Sequence, residues 1–449
     1  MGSSSMTKTS NPNQQFMAAL ALAAIVVATV DCGRGLLTTV DDGGVLTGTD
    51  GSGSGGAEAG GITGAGDSTS MGDADGTVAQ AADGAERPRW QKIPETPVLE
   101  ARGLRKPRTV FMDDRITVLT FWDSSNGEGN VRNETWSYQF AQNDWVKVSQ
   151  GPMCDCGANS YPGTVWTGTR LFYWDGWVGT LPALKGGLYD PVTDAWSPIS
   201  LDGAPALVVD GSAYSGQEVF LSGRIDATDL MSVVFFNPST DRWREAPSLG
   251  IPTAEMAAVV GVGGKIVVWG GVDATVNWTT MIGDGAVYDA ARDRWTPMSP
   301  QSAPGPRVET IAFAARGQAF LWGGTDWKKD SLGNLTAFRD GAMYDPTRDL
   351  WTPISTADSP VRPVDGFWAE QQGLVYLWAG QDSPGASLWT YNPATDTWAT
   401  FDIADLPALK QVSFHWTGSK LLVIGYVDGG TAEDAATSGL RLTGYLLNP

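Results

Sequence analysis

Four acidic residues, Asp210, Glu255, Glu309 and Asp365, follow one another at intervals of about 50 residues, a spacing typical of repeat architectures. Each stands near the start of a short strand-like segment. Brought together, such carboxylates attract a cation or hydrogen-bond a polar ligand, and their mutual repulsion raises some of their pKa values. Arg307 and Arg362 flank the set, as does Arg108 earlier in the chain. Arginine beside carboxylate suits a sugar-binding site or an acid/base site. Glu255, Glu309 and Arg307 are therefore the candidate catalytic residues, and Asp210 and Asp365 are candidate ligand contacts. The competing expectation is a polar lining that serves only the fold.

Tryptophan and arginine are the residues most enriched in binding hot spots. Long stretches between strands carry Trp177, Trp278 and Trp327, together with Arg132, Arg224 and Arg339. Tryptophan on a loop also suits stacking against a sugar ring. The alternative is that these aromatics fold back onto neighbouring sheets. Cys154 and Cys156 enclose one aspartate. An oxidising compartment favours a disulfide between them, although a bridge between residues two apart is strained. A lone Cys-x-Cys without nearby histidine falls short of four zinc ligands, so neither a metal nor a cofactor is expected. The single histidine, His415, lies between Phe414 and Trp416 and reads as packed or channel-facing. Ser-His-Asp or Cys-His catalysis could run only through it, and no strand–Gly-x-Ser-x-Gly–helix context is present. The glycine clusters end strands instead of opening helices, so no phosphate-binding loop is expected.

The elements that must position these side chains are repeats. "LYDPVTDAWSPI", over 188–199, recurs as "FFNPSTDRWREA", "VYDAARDRWTPM", "MYDPTRDLWTPI" and "TYNPATDTWATF", with a degraded copy, "SYQFAQNDWVKV", upstream. Most are preceded by an apolar run ending in small residues, such as "KIVVWGG", "QAFLWGG" and "LVYLWAG". These runs are β-branched or aromatic and too short for helices. Pro191 fixes φ in its turn, and Asp194 can hydrogen-bond local backbone. The glycine pairs allow close sheet approach and a sharp exit from the strand. Strand, diglycine, Tyr-Asp-Pro turn and tryptophan together resemble the kelch repeat over residues 88–449. That resemblance implies an all-β, seven-bladed β-propeller with a four-stranded blade per repeat. Kelch-type galactose oxidases bind copper through two histidines and two tyrosines, which one histidine cannot supply.

The ends of the chain give the blade count. After Trp398 the chain supplies three strands and stops at Pro449, while "RWQKIP" at Trp90 stands alone before the first full unit. The N-terminal strand is expected to complete the last blade. Trp90, Trp145, Trp196, Trp243, Trp295, Trp351 and Trp398 are then equivalent, and no open edge remains. Strand alternation puts short turns on one face and the long loops 123–133, 175–185, 272–284, 325–340 and 427–438 on the other. Binding residues concentrate on long loops, so the long-loop face is the expected binding face.

Residues 1–31 read as a signal peptide: the apolar run 16–30 is too short for a comfortable membrane span. Cys32 resembles the lipidated cysteine of a bacterial lipoprotein, although Asp31 stands where a small residue is wanted. Residues 32–87 are rich in Gly, Ser, Thr, Ala and Asp and read as a disordered tether; between 33 and 86 nine acidic residues face one basic. The net charge of −20 argues against nucleic acid and against an anionic membrane surface, leaving a lipid anchor as the only membrane attachment. The expectation is a monomeric, exported cell-envelope protein that binds a protein or glycan and is not an enzyme. The alternative rests on resemblance to periplasmic kelch propellers that are sugar mutarotases or epimerases using Glu and Arg at the channel mouth.

Overall fold

A computed structural model of the chain describes residues 90–95, 108–120, 134–149, 151, 163–175, 185–225, 230–247, 254–273, 280–329, 335–380, 386–428 and 440–448. The segments expected to be a signal peptide and a tether, with Cys32, lie outside these residues, as do Arg132, Cys154, Cys156, Trp177 and Trp278. The described residues form seven four-stranded antiparallel sheets and one two-stranded hairpin. They make a seven-bladed β-propeller.

Blade 1 comprises Arg108–Met112, Arg115–Thr120, Glu134–Gln139 and Asp144–Lys147. Blade 2 comprises Gly163–Trp166, Leu171–Asp175, Lys185–Asp190 and Ala195–Pro198; blade 3, Leu207–Tyr214, Val219–Ile225, Leu230–Asn237 and Arg242–Glu245. Blade 4 comprises Ala258–Val262, Lys265–Trp269, Gly285–Asp289 and Arg294–Pro297; blade 5, Ile311–Ala315, Gln318–Trp322, Gly341–Asp345 and Leu350–Pro353. Blade 6 comprises Pro363–Ala369, Leu374–Ala379, Ser387–Asn392 and Thr397–Phe401. Blade 7 takes Lys410–Trp416, Leu421–Asp428 and Leu440–Leu447 from the C-terminal end and Gln91–Lys92 from the N-terminal end. Gln91 pairs with Leu446 and Lys92 with Tyr445, so the ring closes by the expected strand exchange.

The core is divided among the seven inter-blade interfaces, each holding one apolar cluster. Blade 4 shows why its second strand is apolar from Ile266 to Trp269. Ile266 and Val268 pack toward blade 3, while the alternate residues Val267 and Trp269 pack toward blade 5. Side chains alternate across a strand, so a blade between two neighbours needs both faces apolar.

The Tyr-Asp-Pro-x-x-Asp-x-Trp segment fastens one blade to the preceding one. Trp196, Trp243, Trp351 and Trp398 each donate Nε1–H to a serine carbonyl of the preceding blade, at 2.7–2.9 Å: Ser149, Ser200, Ser299 and Ser355 in turn. Each of these serines donates its own N–H to the second turn aspartate of the following blade, at 2.8–3.0 Å: Asp194, Asp241, Asp349 and Asp396. These aspartates take left-handed φ of 50–54°, a region Asp and Asn tolerate better than other side chains. Tyr189, Tyr344 and Tyr391 also donate to them. Across the closure, Trp145 donates to the carbonyl of Pro94 at 2.9 Å, four residues beyond Trp90, which gives Trp90 the repeat position expected for it. Asp194 therefore ties two blades together, beyond the local turn bond expected from sequence.

Candidate functional site

The first strands of adjacent blades contact one another around the ring, so they line its axis. The four acidic residues lie at or just before the starts of these strands, in blades 3 to 6, but at different registers. Asp210 is the extra residue of a β-bulge between Val209 and Gly211. Asp365 pairs with Trp378 inside its ladder, just after a bulge. Glu255 forms an isolated bridge with Val272, three residues ahead of Ala258, and Glu309 lies two residues ahead of Ile311.

Each carboxylate has its own environment. Asp210 accepts a hydrogen bond from the Met256 N–H of blade 4. Burial pushes the Asp210 carboxyl up to about 6, against the downward pull of that N–H and of Arg224. Glu255 is buried and pairs with Arg224, Oε1 to Nε at 3.4 Å. Asp365 accepts from its neighbour Gly366 at 2.9 Å and from the Phe414 N–H of blade 7 at 3.2 Å. Asp210 and Asp365 thus each reach forward to the next blade, Asp210 to the turn just before its first strand and Asp365 to the strand itself, a tie between blades. Thr109 Oγ1 and His415 Nε2, 2.6 Å apart and buried, make a comparable tie between blades 1 and 7.

Glu309 differs from the other three. It accepts from the indole Nε1–H of Trp327 at 3.2 Å. Burial raises its pKa, opposed by the Trp327 hydrogen bond and the charge of Arg362. Glu309, Trp327 and Arg362 all hold left-handed φ, at 56°, 57° and 51°. Among the described residues fourteen non-glycines do so, and eleven of them, Met256 at φ 57° included, sit in reverse turns. The other three are Glu309, Trp327 and Arg362. A left-handed residue with a Cβ costs about 1–2 kcal/mol, and such strain gathers at functional sites.

The local sequence explains how the strain is held. Val308 and Thr325 exchange both backbone hydrogen bonds at 2.9 Å, as Glu255 and Val272 do in blade 4 at 2.9–3.0 Å. These bridges need the diglycines: Gly271 and Gly324 have φ of 101° and 93°. A Cβ there would lie 2.6 Å from the Glu255 carbonyl and 2.5 Å from that of Val308. Immediately after each bridge the chain kinks left-handed, at Met256 and at Glu309. The 325–340 loop is itself a hairpin, Thr325–Lys329 with Leu335–Ala337, and it carries Trp327.

Arg307 is spent on holding this hairpin. It is 2% exposed and binds both Asp340 carboxylate oxygens, at 2.8 and 3.0 Å. It also donates to the carbonyls of Gly305 and Gly323, and its guanidinium lies 4.2 Å from the Phe338 ring centroid. Arg307 therefore acts from beneath the site, clamping both ends of the hairpin. Arg339, from the same loop, donates to the Ser359 carbonyl at 3.1 Å.

The site gathers Glu309, Trp327 and the flanking Arg362, all singled out from sequence. It sets Asp210, Arg224 and Glu255 together at the junction of blades 3 and 4, and Asp365 at that of blades 6 and 7. Met256, Phe338 and Asp340 carried no sequence signal, because their roles arise from backbone position and from Arg307. An indole, a guanidinium and a carboxyl of raised pKa can hydrogen-bond and stack on a polar ring, and the carboxyl can exchange a proton.

No family model matches the chain, and no curated protein matches it. The solved structure of YjhT is similar, with a TM-score of 0.45 and 14% identity, covering 69% of this chain and 99% of YjhT.

Proposed function

We propose that this chain is an exported cell-envelope binding protein whose kelch-type propeller takes a glycan at the channel mouth, over Glu309, Trp327 and Arg362. The observation that carries this reading is the gathering of three strained, non-glycine residues around one carboxyl of raised pKa. The Glu309 kink recurs in blade 4 at Met256, whereas the left-handed Trp327 and Arg362 have no such counterpart among the described residues. Trp327 offers a ring for stacking, Arg362 an exposed donor and Glu309 an acceptor for sugar hydroxyls. Cys32 carries the lipid anchor in this reading, and mass spectrometry of the mature protein would show a modified N-terminal cysteine. A glycan array probed with the full chain is expected to give signals that vanish in Trp327→Ala and Glu309→Gln. Signals unchanged in both variants, or capture of a protein alone, would overturn the glycan assignment.

A second reading is favoured by the two raised carboxyls, Asp210 at about 6 and Glu309. A carboxyl such as Asp210, pushed up to about 6, suits general acid–base catalysis. In sugar mutarotation one carboxylate removes the anomeric hydroxyl proton while an acid protonates the ring oxygen. The ring C–O bond opens to the carbonyl form, and the reverse steps close it on the other face. Anomer exchange of free sugars, followed by NMR and abolished in Glu309→Gln, would favour this enzyme over pure binding.

A further inference from the structure

The repeated fastening between blades fails at the junction of blades 3 and 4, and an arginine stands in its place. At the junction of blades 6 and 7 the equivalent Trp90 Nε1 also finds no partner, and no arginine to replace it, among the described residues. The residue four beyond the blade tryptophan is Ser149, Ser200, Ser299 or Ser355 at the four complete junctions, and it is Pro247 in blade 3. Proline has no N–H, so it cannot donate to Asp293, the turn aspartate of blade 4. Trp295, the blade 4 tryptophan, is buried and its Nε1 finds no acceptor among the described residues. Both arms of the fastening are therefore missing between blades 3 and 4.

Arg244 occupies the gap. It follows Trp243 directly, where the other blades carry Gln91, Val146, Ser197, Thr296, Thr352 and Ala399. Its Nη2 lies 3.0 Å from Asp293 Oδ1 and donates to the Tyr288 hydroxyl at 2.7 Å. Its other contacts are a bidentate pair with Glu218, at 3.0 and 2.5 Å, and the Phe235 ring, 4.4 Å from the guanidinium. Tyr288 in turn donates to Asp293 at 2.7 Å, so one cation, anchored on Glu218 within blade 3, holds a tyrosine and a carboxylate of blade 4 across the junction. The inner end of the same junction is also ionic, through Arg224 and Glu255.

We infer that the junction of blades 3 and 4 is a charge-fastened seam whose opening responds to ionic strength, whereas junctions 4–5 and 5–6 are fastened by neutral and singly charged backbone bonds that salt leaves in place. Arg244 is a third exposed and Asp293 more than half, so mobile ions reach the outer pair and screen it. The inference does not depend on any ligand at the mouth.

Hydrogen exchange of the full chain, followed by mass spectrometry, tests it. Raising NaCl from low to about 1 M is expected to speed exchange in 286–297 about fivefold, with no comparable change in 342–353 or 388–401. Arg244→Ala should show the fast exchange already at low salt and lose the salt response. Pro247→Ser, which restores the missing N–H, should halve the salt response or better, and combined with Arg244→Ala should return exchange to within about twofold of the parent. A salt response equal at all three junctions overturns the seam, as does a folded Pro247→Ser whose salt response matches the parent. Should Arg244→Ala not fold, the parent and Pro247→Ser alone still decide.

Discussion

The two faces of the propeller are built from opposite kinds of chemistry. On the turn face one device recurs from blade to blade: an aspartate in the left-handed region, a tyrosine donating to it, and a tryptophan donating to the preceding blade. On the mouth face, among the described residues, the first strands of blades 3 to 6 begin in three different ways. Asp210 sits on a bulge, blades 4 and 5 share a bridge followed by a left-handed kink that puts Glu255 on the bridge and Glu309 on the kink, and Asp365 lies within the ladder. Repetition marks what every blade needs for packing. Departure from the repeat, held at a cost in strain, marks what the blades do not need and a ligand site would.

Breaking the repeated device should have the largest effect. Trp398 is 8% exposed, meets Trp322 at 4.6 Å and donates to Ser355. Trp398→Ala should destabilise the propeller by about 3–5 kcal/mol, measured by chemical denaturation, and leave residual ligand binding at low temperature. The mouth carboxyl Asp210 should behave the other way. Its native pKa of about 6 exceeds its unfolded value, so the stability it contributes is present below about pH 4 and lost as pH rises through about 6. Asp210→Asn keeps an acceptor for the Met256 N–H, removes that slope and should stabilise the protein at pH 7 by about 1–3 kcal/mol. A parent denaturation profile flat between pH 4 and 6 would contradict the burial assigned to Asp210. Smallest is the release of strain. Arg362→Gly should gain about 0.5–1 kcal/mol, because glycine accepts left-handed φ, while glycan binding is lost.

The propeller was legible because its chemistry repeats. Five copies of one turn, tryptophan included, fix the period, and Trp90 standing alone implies the closure that Gln91 and Lys92 complete. The mouth was legible only in part. Glu309, Trp327 and Arg362 are visible as residue types, yet their left-handed backbone is not written in any of them. Arg307 reads from sequence as a candidate catalytic residue because it flanks the acidic set, but the hairpin folds Asp340 onto it. Repeat spacing placed Asp210, Glu255, Glu309 and Asp365 in one ring. Bulges turn Asp210 and Asp365 onto backbone N–H groups of the next blade, and a bridge sets Glu255 beside Arg224, so only Glu309 is left facing the Trp327 hairpin.

The most direct test sets the two faces against each other in one titration. Calorimetry of the full chain with the glycan giving the strongest array signal is run on Trp327→Ala at the mouth and on Arg316→Ala, an exposed residue of a two-residue turn on the opposite face. Trp327→Ala should weaken binding about tenfold or more with the melting temperature preserved, and Arg316→Ala should bind like the parent. Equal affinities for all three proteins would contradict the assignment of the mouth as the ligand site.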